Sequence, residues 1–270
     1  MGGKTLNYVL FFVTIFTTLY CGMALFGGSF FSGVLFSATV MAVLLVHEFG
    51  HYFNARRHGV SVTLPYFIPL PFGIGTMGAF IRMKSAIPDR NVLMDVGAGG
   101  PLWGFIASVL AVVVGMDMAQ VADKSVSPIG SSLLYSVMAY LVKGVSPEFL
   151  EMNPVLFAGW LGLFVTMLNL LPIGQLDGGH VVYALFGKSR HYAKGVRTFF
   201  LLLCLWGIIC LSVYSSSTWL FFGVLVYFMG GVVHPLLDNE MEDLTPQNRI
   251  KGGACALIFV LTFLPAPFMG

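Results

Sequence analysis

The run His47-Glu48-Phe49-Gly50-His51 places two imidazoles four positions apart. On an α-helix that spacing turns them only about 40° around the axis, so both project from one face and can share one metal ion. Glu48 stands beside them, where it can take a proton from a water without itself being a ligand. The chemistry this arrangement fits is metal-assisted hydrolysis. A structural zinc takes four protein ligands, whereas a hydrolytic zinc usually takes three and keeps a position for water. A third ligand must therefore come from elsewhere in the chain.

The motif sits in apolar surroundings. Of 270 residues 57% are hydrophobic and 10% charged, and the mean hydropathy is +0.86. A soluble domain carries roughly 25% charged residues, so this composition belongs to an integral membrane protein. In an apolar helix two histidines and a glutamate are costly unless paired or metal-bound. The net charge of +2 says little about partners, and the absence of a basic run argues against nucleic acid. Cys21, Cys204, Cys210 and Cys255 lie in apolar segments without metal-type spacing and read as small buried hydrophobes.

Apolar runs of membrane-crossing length predict an all-α polytopic protein with about seven transmembrane helices, near residues 6–26, 33–56, 92–116, 154–186, 197–213, 217–235 and 251–268. The first reads as a retained helix, since it lacks a small-residue cleavage site. The fourth is too long for one straight crossing and holds Pro172 and Gly174, which predict a kink or unwinding. If the N-terminus is cytosolic, twelve of the fourteen Lys and Arg fall on that side, and only Lys124 and Lys143 on the other. Residues 62–88 are apolar but broken by Pro65, Pro69, Pro71, Gly73, Gly75 and Gly78, and 76–83 reads as a strand. Irregular backbone at membrane depth survives only against protein or a wet cavity, so this segment is expected to be re-entrant. Leu133–Val142 is a candidate interfacial helix, and the small residues of Gly97–Gly104 predict close helix packing.

The third ligand should lie at the depth of the histidines. His51 and His47 precede Arg56 by five and nine residues, about 7–14 Å of helix. Asp177 precedes Lys188 by eleven, about 16 Å on the same side. Asp177 is the stronger candidate, and His180, three residues nearer the cytosol, is its rival. Asp95 lies near the cytosolic start of the third span and is expected at the interface.

His47-Glu48-Phe49-Gly50-His51 together with Asn169, Pro172, Asp177 and Gly178 resembles the pattern of the site-2 protease family of intramembrane zinc metalloproteases, peptidase family M50. The resemblance covers about residues 33–187, the expected catalytic core of a single transmembrane protease domain over 1–270. His234-Pro235, before an acidic stretch and a final apolar run, more weakly resembles the branch of plastids and many bacteria. The resemblance implies one zinc ion per chain, with Asp177 as third ligand and Glu48 as catalytic base. It implies that Asn169 positions substrate backbone and that the strand bearing Gly78, Ala79 and Phe80 pairs with an unwound transmembrane protein or peptide substrate. The sequence departs from larger members of that family, in that neither a PDZ insert nor a C-terminal nucleotide-binding domain is expected in it. A cell (inner) membrane is expected, with the site toward the cytosol. The alternative is a metal transporter, since intramembrane His and Asp also carry ions; a glutamate between same-face histidines and the lack of an inverted repeat disfavour it.

Overall fold

The computed structural model describes residues 3–127, 129–187, 189, 191–214, 216–230 and 243–268. His234, Pro235, Lys188 and Arg190 lie outside the described residues. The chain runs α1 (Gly3–Leu25), α2 (Phe30–Arg57), β1 (Tyr66–Pro69), β2 (Thr76–Phe80), α3 (Arg90–Met118), α4 (Leu133–Lys143), α5 (Pro154–Asn169), α6 (Asp177–Phe186), α7 (Tyr192–Tyr214), α8 (Thr218–Gly230) and α9 (Pro246–Thr262). Among the described residues, α1, α2, α3 and α7 are the four helices long and apolar enough to cross a membrane by themselves.

The expected fourth span is two helices. Leu170–Leu176 interrupts it, with Gly174 at φ +57°, because Pro172 lacks the amide a continuous helix needs. The last expected span ends early, at Thr262, and Pro265 and Pro267 follow. The chain turns back there: the Pro265 carbonyl accepts from the indoles of Trp206 and Trp219, and the Pro267 carbonyl accepts from Gly130. Of the expected 217–235 span, α8 accounts for the part up to Gly230; residues 231–235 lie outside the described ones.

Local signals explain the other helix ends. Asp89 caps α3 by accepting from the Asn91 and Val92 amides, and Asn153 caps α5 through Val155 and Leu156. Ser132 starts α4 and Gly144, at φ +72°, ends it. α2, α3 and α5 pack on one another. Phe36, Phe157, Trp160 and Phe164 stack in a continuous aromatic row through that core.

The strand read over 76–83 is regular only to Phe80, with a single further bridge from Met83 to Val62. It pairs antiparallel with β1, a partner the sequence reading did not identify. From Phe67 to Pro69 is two steps, but from Ala79 back to Thr76 is three. The extra residue makes a β-bulge, and Gly78, at φ +99°, absorbs it. The Thr76 hydroxyl fills the gap in the ladder, donating to Ile68 O (3.0 Å) and accepting from Gly78 N (3.0 Å).

Candidate metal centre

α2 carries His47, Glu48 and His51 into the interior, where they are 5%, 5% and 7% exposed. Asp177 is brought opposite them as the first residue of α6, where the unpaired amides of a helix N-terminus favour a negative charge. The turn before it is tight. A Cβ at Gly178 would run into the carbonyls of Leu170 and Leu171, and one at Gly179 into those of Ile173 and Gly174. Glycine is therefore the residue that lets α6 start there.

Ligand-type atoms of His47, His51 and Asp177 all lie within 4.8 Å of one another. The two Nε2 atoms are 3.2 Å apart, and Asp177 Oδ2 lies 3.2 Å from one and 3.3 Å from the other. Zinc bonds of about 2.0–2.1 Å in a tetrahedron set ligand atoms about 3.3–3.4 Å apart. The triangle's edges, 3.2, 3.2 and 3.3 Å, come close to that length. His51 Nδ1 donates to the Val96 carbonyl at 2.7 Å, which leaves its Nε2 lone pair pointing into the triangle. Two imidazole nitrogens and a carboxylate, with no fourth protein ligand among the described residues, match the donor set of a hydrolytic zinc. His180 is outside the cluster, with its Cβ against Gly97 of α3.

The glycines of α3 make the seat for the imidazoles. A Cβ at Gly100 would overlap the His51 ring, and one at Gly104 would come within 2.6 Å of His47 Nδ1. The spacing is legible in hindsight: glycines four apart on α3 face histidines four apart on α2, in reverse order, as antiparallel helices require. The packing role read from Gly97–Gly104 therefore extends to the functional side chains.

Next to the triangle lies a cavity of about 70 Å³, enough for a water or two. It is lined by His47, Glu48, Asn169, Met77, Gly78 and Ala79, with apolar residues of α2 and α5 behind. Asn169 Nδ2 is 3.2 Å from His47 Nε2. Phe80 is not part of the lining; its ring stacks on Tyr66 with centroids 5.6 Å apart. Met77 as a cavity-lining residue and the Val96 carbonyl escaped the sequence reading, because a backbone group and an isolated methionine leave no pattern.

Comparison with known proteins finds a family and several relatives. The family model described as Peptidase family M50 matches residues 35–206. The chain is 29% identical over 236 residues to "Probable zinc metalloprotease EGY1, chloroplastic" of Arabidopsis thaliana, covering 84% of this chain and 42% of that protein. It is 30% identical over 242 residues to the protein of the same name in Oryza sativa subsp. japonica, covering 84% and 39%. With "Probable zinc metalloprotease EGY2, chloroplastic" of Oryza sativa subsp. indica it shares 29% identity over 281 residues, covering 95% and 49%. The chain thus spans less than half the length of these relatives.

Proposed function

The chain belongs to peptidase family M50, and from that membership we propose that it is an intramembrane zinc metalloprotease that hydrolyses peptide bonds of transmembrane substrates. The observation that carries the proposal is the 3.2–3.3 Å triangle of His47, His51 and Asp177 beside the buried carboxylate of Glu48. His47, His51 and Asp177 would hold one zinc ion per chain. Zinc, when bound, supplies a Lewis acid that makes water nucleophilic near neutral pH and polarises a carbonyl. Glu48 takes the proton of the attacking water and delivers it to the leaving amine. The Val96 carbonyl keeps the proton of His51 on Nδ1, so the ring presents a lone pair throughout.

A helical substrate hides its amides in its own hydrogen bonds, so the cleaved segment must unwind. An extended segment lying beside β2 recovers backbone bonds from it. In this reading Gly78 and Ala79 face the scissile region with Asn169, and Phe80 holds the outer part of the strand through Tyr66. The apolar walls around Glu48 limit water to the small cavity, where charge interactions are strong.

The membrane arrangement we propose has seven crossings, with α5 and α6 sharing one and the β1–β2 hairpin entering from the cytosolic side. The core is residues 33–187 within a single transmembrane domain. The basic loops put the N-terminus in the cytosol of a cell membrane, with the site opening to that side. Reconstitution in liposomes with a single-span test substrate tests the activity. Wild-type protein is expected to cleave it, and Glu48→Gln to cleave about 10²–10⁴-fold more slowly. Equal rates would refute the mechanism, and metal flux without cleavage would point to transport.

A further inference from the structure

We propose that α1, which lies wholly before the family-matched region, is a brace that holds the β1–β2 hairpin in place at the catalytic centre, with Asn7 and Thr17 as positioning residues. The inference rests on the proteolytic reading only for its effect on turnover.

α1 carries polar side chains that an apolar helix needs a reason to keep: Asn7, Thr14 and Thr18 are all buried. Asn7 Nδ2 donates to the carbonyls of Leu64 (2.8 Å) and Pro65 (2.9 Å), at the entry to β1. Ten residues further along, about 15 Å by helix rise, the Thr17 hydroxyl meets the Gly75 carbonyl at 2.7 Å, at the start of β2. Between these points Phe11 packs edge-on against Phe67 of β1, centroids 5.2 Å apart. The hairpin is thus held at both ends and in the middle.

The fit at the turn is close. Gly75 has φ +86°, and a Cβ there would collide with the backbone of Thr18. α1 is in turn bolted to the catalytic helix. Thr18 Oγ1 and Ser37 Oγ share a 2.7 Å hydrogen bond, and Ser37 also donates to Ile15 O. The chain of contacts runs from α2 through α1 and the hairpin to Met77, Gly78 and Ala79, which line the cavity beside Glu48. A two-stranded hairpin is marginal without such support.

The test compares Asn7→Leu/Thr17→Val with Thr17→Ser, which keeps the hydroxyl. The double variant should retain wild-type zinc and unchanged exchange in residues 43–54 of α2. Its amides over 76–80 should exchange at least about tenfold faster. Its kcat on a transmembrane substrate should fall at least about tenfold, more than KM changes. Thr17→Ser should match wild type in all of these. Unchanged exchange over 76–80 in a zinc-replete double variant would overturn the brace, as would equal loosening of α2. If the double variant fails to fold, Thr17→Val alone decides by the same exchange. The exchange contrast in a protein that cleaves nothing would support the brace and sink the proteolytic reading.

Discussion

The imidazole of His51 lies where a side chain on Gly100 would have to be, so the ring and the glycine on the facing helix occupy one shared space. With Nδ1 tied to the Val96 carbonyl, the ring is fixed at that nitrogen and against Gly100. Gly100→Ala should displace it and weaken metal binding by about 10–100-fold, the usual cost of disturbing the groups that orient a ligand. Gly253→Ala is the control, since a Cβ there meets nothing within 4 Å. Zinc affinity by competition with a chromogenic chelator reads the difference. Equal affinities in the two variants would show that the close approach of Gly100 does not hold the ring.

Arg90, the first residue of α3, donates to the carbonyls of Ala184 and Leu185 near the end of α6 and is 4% exposed. Because α6 begins with Asp177, this bond anchors the far end of the helix that carries the candidate ligand. Arg90→Met should leave those carbonyls unpaired and cost about 1–3 kcal/mol, read as a lowered thermal midpoint in detergent. An unchanged midpoint would mean that water or lipid serves the carbonyls equally well.

Ala79 pairs with Phe67 in the ladder, and Ile81 lies between the end of β2 at Phe80 and the Met83–Val62 bridge. Proline at either position removes a backbone donor. Ile81→Pro or Ala79→Pro should keep zinc yet cleave at least about tenfold more slowly, a loss of about 1.4 kcal/mol of transition-state stabilisation, while Ile81→Val stays mild. Zinc measured on the same samples separates this from misfolding. Full activity in both proline variants would remove β2 from the account of substrate binding.

The proposed orientation puts residue 124 and residue 194 on opposite faces of the membrane. All four native cysteines are free, so they can be replaced and single cysteines introduced at Lys124 or Lys194. An impermeant thiol reagent should label 194 only from the cytosolic side and 124 only from the other. Labelling of both from one side would overturn the topology.

What the sequence made legible was whatever has a period or a prohibition. The four-residue spacing of His47 and His51 and the polar cost of Asp177 in an apolar run both pointed to the cluster. Ser132 and Gly144 bound α4 close to the predicted Leu133–Val142, and Pro172 broke the long fourth segment where expected. The strand β1 was not legible, because Tyr66–Pro69 is four residues that follow one proline and end on another, and it gains its order from α1 and β2. Nor was the polar face of α1: Asn7 and Thr17 are ten apart, and their partners are carbonyls of a loop about 58 residues away. Such bonds exist only after the chain has folded, and no local pattern announces them.

Metal content is the most direct test of the central claim, that His47, His51 and Asp177 form a zinc site served by Glu48. Elemental analysis of purified protein should find about one zinc per chain in the wild type and in Glu48→Gln. His47→Ala and Asp177→Ala should lose most of it. Full zinc in Asp177→Ala, or a site emptied by His180→Ala in its place, would contradict the account.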